Sequence, residues 1–203
     1  MHIGALGRFL SMVIGITGGI GCGKSTAARI FERRGFRRVD CDAIAHELVA
    51  EDAIVRETLI NTFGEDIRRG DGSLDRKKIA AIVFGDERRL EELENILHPV
   101  IRERWESLIG EEPEGDWIVE VPLLFEKNLQ NRVDFTVCVF SDLPSQVERL
   151  GQKGMDRAQA LARINRQMPT KEKAEKADCV LLNEGSLAFL EDQVNQLLTQ
   201  FKT

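Results

Sequence analysis

The sequence predicts an α/β protein of three layers, α/β/α, with a five-stranded parallel sheet in the middle, and two observations carry that prediction. Strand-length apolar runs recur at Val13 to Ile16, Phe36 to Val39, Trp117 to Val121, Phe135 to Phe140 and Cys179 to Leu182, and helix-period patterns separate them. Runs such as Phe135-Thr136-Val137-Cys138-Val139-Phe140 are apolar almost throughout. That suits strands covered on both faces, and such sheets bind ligands at the carboxyl ends of their strands.

The first strand runs into Gly18-Gly19-Ile20-Gly21-Cys22-Gly23-Lys24-Ser25, a GxxxxGK motif followed by a hydroxyl residue. In this pattern the glycines let successive backbone N–H groups converge on an anion, the lysine reaches the β- and γ-phosphates, and the hydroxyl binds Mg²⁺. The motif should follow a strand and open a helix, and it does. Ala27, Ile30 and Phe31 keep helical period from Ser25 to Arg33, and Arg34-Gly35 supplies a basic last turn and a glycine stop. The fold is therefore of the P-loop NTPase type. Gly19, Gly21, Cys22, Gly23, Lys24, Ser25 and Thr26 are the candidate ATP contacts, with Lys24 also a catalytic candidate and Ser25 a ligand for Mg²⁺.

Val39-Asp40-Cys41-Asp42 places two acids at i and i+2 where the second strand turns into a helix. Phosphoryl transfer needs a carboxylate to take the acceptor hydroxyl's proton and a polar group for the hydrated metal. Asp42 is the candidate base and Asp40 the candidate contact to metal-bound water. The alternative for either is a helix N-cap ahead of Ala43 to Val49. The stretch 42–116 that follows is mostly helical by period, too long for a simple crossover, and reads as an inserted helical subdomain for a second substrate. Leu90, Leu93, Ile96, Leu97, Val100, Ile101, Trp105, Leu108 and Ile109 mark a long amphipathic stripe, interrupted at His98-Pro99. Arg68-Arg69-Gly70-Asp71-Gly72-Ser73 reads as a hairpin or surface loop. Glu120 ends the third strand, where an acid near the metal is expected, although strand alternation leaves open whether it faces the cleft.

Taken together, ITGGIGCGKST, VDCDAIAHELV, LDRKKIAAIVF, LENILHPVI, VPLLFE, Gln167 and ADCVLLNEG occur in an order that resembles the dephospho-CoA kinase family, from about Met12 to the C-terminus. The resemblance implies transfer of the γ-phosphate of ATP to the ribose 3′-hydroxyl of dephospho-CoA, the final step of coenzyme A synthesis. It also implies a P-loop kinase fold with a CoA-side helical domain and a lid. The parts expected are a nucleotide-binding core over about 12–41 and 116–203, an acceptor insertion over about 42–115, and a lid over about 149–167. By the same resemblance His98 and Glu126 join Asp42 on the acceptor side, and Asn183 touches the adenine. Basic lid groups close over the phosphates, with Arg163 and Arg166 on the lid helix. The family usually has arginine where Lys153 falls, and lysine offers a point charge instead of a bidentate fork, which makes Arg149 the better catalytic candidate.

Composition narrows the partners. The 203 residues are 42% hydrophobic and 31% charged, with a formal net charge of −6. That charge disfavours a general nucleic-acid binder, and no apolar run is long enough for a membrane span. The partners the resemblance implies are ATP and dephospho-CoA, in a cytoplasmic setting, with no obligatory protein partner expected. Cys22, Cys41, Cys138 and Cys179 form no CxxC pair, so buried, inert thiols are expected, with Cys22 as filler in the phosphate loop. Met1 to Ser11 reads as an extension ahead of Met12. Two rival readings are another small-metabolite or nucleoside-monophosphate kinase, and a nucleotide-dependent switch. The absence of DxxG and NKxD motifs counts against the switch.

Overall fold

A computed structural model describes residues 11–201, so the expected extension lies almost wholly outside the described residues. β1 (Val13–Thr17) is the middle of a five-stranded, all-parallel sheet. β3 (Trp117–Glu120) and β2 (Arg37–Asp40) extend the sheet on one side, and β4 (Phe135–Phe140) and β5 (Cys179–Leu182) on the other. Gly15 sits opposite Val119 on one neighbour and Thr136 on the other. β2 starts one residue later than the apolar run suggests. Its outer residue Arg37 still joins the ladder by donating its N–H to the Asp116 carbonyl at 2.8 Å.

The described chain divides into two compact units, one of the described residues up to 39 and from 112 onward, the other of residues 40–111. In the first, helices cover both faces of the sheet. Ile14 and Ile16 of β1, Ile118 of β3, and Val137 and Val139 of β4 are buried with Ile30 and Phe31 of α1 (Lys24–Arg33) and with Leu190, Val194 and Leu197 of α9 (Leu187–Gln200). This explains why the strands read as continuous apolar runs, since neither face meets water. β5 is an edge strand. Gln193 of α9 takes the Leu182 N–H on its Oε1 and donates its Nε2 to the Leu182 carbonyl, both at 2.8 Å.

The second unit contains α2 (Cys41–Glu51), α3 (Ala53–Phe63), α4 (Arg76–Phe84) and α5 (Glu87–Glu111). Three of these helices start the same way. Asp40, Asp52 and Asp75 each accept the backbone N–H groups two and three residues on, filling donors that a helix start leaves without partners. Val55, Leu59, Ile60, Ile67, Leu74, Ile79 and Val83 form the core, against which Leu90, Leu93, Ile96, Leu97 and Val100 of α5 pack. The turn-rich stretch is a small hairpin, with Arg68 bridged antiparallel to Leu74 and the Asp71 carboxylate accepting from Ser73 Oγ and N–H. Those two hydrogen bonds hold the Asp71 carboxyl below the usual carboxylate range.

One expectation is corrected here. The amphipathic stripe is not interrupted at His98-Pro99, because α5 runs unbroken through Pro99. A proline costs its own helix one hydrogen bond, and packing of Ile96, Leu97 and Val100 on both sides of it holds the axis together. Among the described residues no helix is long and apolar enough to cross a membrane.

Ile118 is fully buried beside the central strand. Ile118→Ala is expected to lower the unfolding free energy by about 2–5 kcal/mol in a urea titration, the usual cost of a core cavity.

Candidate active site

The phosphate loop leaves the carboxyl end of β1 and closes at Gly23, which starts α1 with a left-handed backbone, φ 92° and ψ 28°. A side chain at Gly23 would also strike the Asn183 amide, and one at Gly18 would strike the Val139 carbonyl. Glycine is thus required at both by contact as well as by backbone angle. No side chain caps α1. The Thr26 and Ala27 N–H groups turn back to the Gly23 carbonyl, and the positive end of the α1 dipole faces the loop, as in helix N-termini that bind phosphate. Lys24 folds back along the loop, donating Nζ to the Gly18 and Gly19 carbonyls, each at 3.0 Å.

Glu120 is 4% exposed, and its contacts answer the question its strand position left open. Its Oε2 accepts from Ser25 Oγ at 2.8 Å, and its Oε1 accepts from Arg38 Nε at 2.6 Å. The carboxylate thus faces the start of α1 and is balanced by the guanidinium from β2. Among the described residues no group of three or more His, Cys, Asp or Glu side chains could hold a metal by itself. A hydroxyl beside one carboxylate is a fitting donor set for Mg²⁺, which keeps several waters and takes its other ligands from substrate phosphates.

The loop is also held from behind. Arg149 lies on α6 (Leu143–Gly151) and donates to the Gly21 carbonyl at 3.1 Å, to Ser141 Oγ at 2.8 Å and to the Asn183 carbonyl at 2.5 Å. Asn183 donates its Nδ2 to the Cys22 carbonyl at 2.8 Å. The start of α6 is fixed by Asp142, whose carboxyl is held below the usual range by hydrogen bonds from the Ser145 side chain and backbone. Gln167 Oε1 accepts the Ile20 N–H at 3.0 Å. Buried Gln146 donates Nε2 to the Ser141 carbonyl at 2.8 Å and lies with Thr170 against Gly19. Arg163 of α7 (Arg157–Asn165) is half-buried, while Lys153 and Arg166 are exposed.

After β3, the Glu126 carboxylate accepts the Met168 N–H at 3.0 Å and pairs with Lys173 Nζ at 2.7 Å. In the helical unit, Asp40 caps α2, Asp42 is exposed in its first turn, and His98 is half-buried on α5. Asp40 is therefore the N-cap that the sequence offered as the alternative for both acids, with Oδ1 accepting from Asp42 N at 3.0 Å and Ala43 N at 3.1 Å. Sequence reasoning did not single out Arg38 or Lys173. Lys173 falls in Thr170-Lys171-Glu172-Lys173-Ala174-Glu175-Lys176, α8, where nothing in the pattern marks one lysine as buried.

Cys22 and Cys138 are fully buried. Burial, with a smaller contribution from the neighbouring Cys22 thiol, pushes the Cys138 thiol up to about 12. Cys22 is interior filler beneath the loop.

The fold and the cradle together define a P-loop kinase. Comparison with known proteins makes this specific: the chain belongs to the dephospho-CoA kinase family, whose profile matches residues 12–188. It is 39% identical over 194 residues to the dephospho-CoA kinase of Carboxydothermus hydrogenoformans, covering 94% of each chain. It is 36% identical over 195 residues to that of Bacillus licheniformis, covering 93% of this chain and 96% of the other. Among solved structures, TT1252 from Thermus thermophilus superposes with a TM-score of 0.79 at 37% identity, over 94% of this chain and 97% of that one. The dephospho-CoA kinase from Campylobacter jejuni gives 0.68 at 27%, over 94% and 96%. Shikimate kinase from Acinetobacter baumannii, at 0.55 and 15% over 94% of each chain, shares the fold.

Thiol labelling checks the loop's interior. A thiol at about 12 is ionised to only about one part in ten thousand at pH 8. Native protein treated with iodoacetamide at pH 8 is expected to leave Cys22 and Cys138 unmodified, and denatured protein to label both, as read by peptide mass spectrometry.

Proposed function

We propose that this chain transfers the γ-phosphoryl group of ATP to the ribose 3′-hydroxyl of dephospho-CoA, giving coenzyme A and ADP. The observation that supports the acceptor is the family match over residues 12–188, which spans the helical unit as well as the phosphate loop. The donor reading rests on the loop itself, with its uncapped α1 N-terminus, Lys24 and the Ser25–Glu120 contact.

In this reading the loop and helix start formed by Gly19, Gly21, Cys22, Gly23, Lys24, Ser25 and Thr26 bind and orient the triphosphate, and Lys24 leaves the loop carbonyls to reach its outer oxygens. Ser25 and Glu120 would hold Mg²⁺, with Asp40 reached through water. At that position the ion would supply neutralisation of the phosphate charge. Asp42 accepts the proton of the acceptor hydroxyl. Asp40 supports it by fixing the first turn of α2, which carries Asp42. His98 and Glu126 contact the acceptor, and Asn183 lies on the adenine side. Residues 149–167 act as the lid, but Arg149 is assigned to the base of the loop, because its guanidinium is already engaged by loop carbonyls and Ser141. A cytoplasmic setting, with ATP and dephospho-CoA as the only partners the reaction requires, fits this reading.

Mass spectrometry of the product from ATP and dephospho-CoA, with and without Mg²⁺, tests the reaction. Coenzyme A is expected only when Mg²⁺ is present, and strong phosphorylation of AMP, CMP or UMP with none of dephospho-CoA would overturn the assignment. Asp42→Asn is expected to leave ATP binding intact and to lower kcat by about a hundredfold or more, since a general base acts only in the transition state. Near-normal kcat in that variant would remove Asp42 from the mechanism.

A further inference from the structure

Lys173 is the most unusual side chain outside the phosphate-binding groups. It is 0% exposed, on a seven-residue helix whose other charged residues are partly or fully in water. Its Nζ donates to the Pro122 carbonyl at 2.7 Å and pairs with Glu126 Oε1 at 2.7 Å. The Pro122 carbonyl also accepts from Thr17 Oγ1, the last residue of β1 before the loop, at 3.3 Å. Glu126 Oε1 in turn accepts the Met168 N–H at 3.0 Å, so one carboxylate oxygen and one ammonium join the turn after β3 to the segment that enters α8.

That segment supports the loop from behind. Gln167, next to Met168, takes the Ile20 N–H, and Thr170 lies against Gly19 with its Oγ1 3.8 Å from Cys22 Sγ. The ammonium is also close enough to Cys138, the register partner of Thr17, to oppose the upward shift of that thiol. A buried ion pair is a poor source of stability, because desolvating both charges costs about as much as their attraction returns. What it does supply is direction. An ammonium fixed by a carbonyl and a carboxylate ties two chain segments together through directional contacts.

We infer that Lys173 is a positioning residue for the phosphate loop, acting through Glu126, Met168 and Gln167 to hold Ile20 and Gly19 in the anion-binding conformation. The inference rests on the reading of that loop as the ATP site. It gives Glu126 a second task beside any contact with the acceptor.

Lys173→Met alone would strand the Glu126 carboxylate in the interior, so the informative variant is Lys173→Met/Glu126→Gln, which removes both charges at similar volume. Gln167→Leu cuts the last link of the same chain at a half-buried position. ATP binding is read directly by calorimetry with Mg²⁺ and without acceptor, beside thermal unfolding and amide hydrogen exchange. Each variant is expected to bind ATP about tenfold more weakly, the upper end of what losing one intramolecular hydrogen bond costs, and the Ile20 amide is expected to exchange faster. The thermal midpoint of Gln167→Leu should stay within a few degrees of the parent. ATP affinity within about twofold of the parent in either variant overturns the inference, as does a double variant that fails to fold, since the pair would then serve stability and not the loop. A parent protein that binds no ATP would instead overturn the reading of the site.

Discussion

A phosphate loop can present its N–H groups to an anion only if something else takes charge of its carbonyls. In this chain that demand organises much of the surrounding structure. The Gly18 and Gly19 carbonyls are held by Lys24, the Gly21 carbonyl by Arg149, and the Cys22 carbonyl by Asn183. These three partners come from three different places: α1, α6 and the exit of β5. Each of those elements must therefore be positioned by the sheet before the loop can hold its shape. The order β2-β3-β1-β4-β5 brings the exit of β5 and the start of α6 to the same end of the sheet as the loop.

Charge around the loop is balanced in the same way. Glu120 is almost fully buried, yet it faces Arg38 on one oxygen and Ser25 on the other, so no uncompensated anion is left inside. On the proposed reading, a divalent cation at Ser25 would meet a carboxylate already turned toward it. Lys24 is satisfied by carbonyls that a triphosphate can replace. Both arrangements lower the reorganisation needed when substrate binds, which is the physical content of a preorganised site.

The strands, the phosphate loop and the long helical insertion were legible because each leaves a periodic or positional mark: apolar runs buried on both faces, glycines at forced backbone angles, and stripes of leucine and isoleucine. Pro99 misled because proline's cost is local, whereas the packing that keeps α5 continuous is spread over several turns. Asp40 and Asp42 show a different limit. A sequence can say that one of two nearby acids caps a helix, but only the backbone geometry decides which. Lys173 was invisible for a simpler reason, since its burial is set by residues more than forty positions away around Pro122 and Glu126, and nothing in its own neighbourhood is apolar enough to announce it.

At the rim of the sheet, β5 has, among the described residues, a strand neighbour on one side only. Val180, Leu182 and Phe189 are 37%, 42% and 46% exposed, and they lie along β5 or just beyond it, where an unpaired strand would invite another chain to add itself. Gln193 occupies the Leu182 N–H and carbonyl as a neighbouring strand would. A primary amide is a detached copy of the backbone's own hydrogen-bonding unit, so one side chain stands in for the missing sixth strand. It closes, at Leu182, the step of the edge nearest the greasy residues of the rim, and so shortens the template on which another chain could assemble.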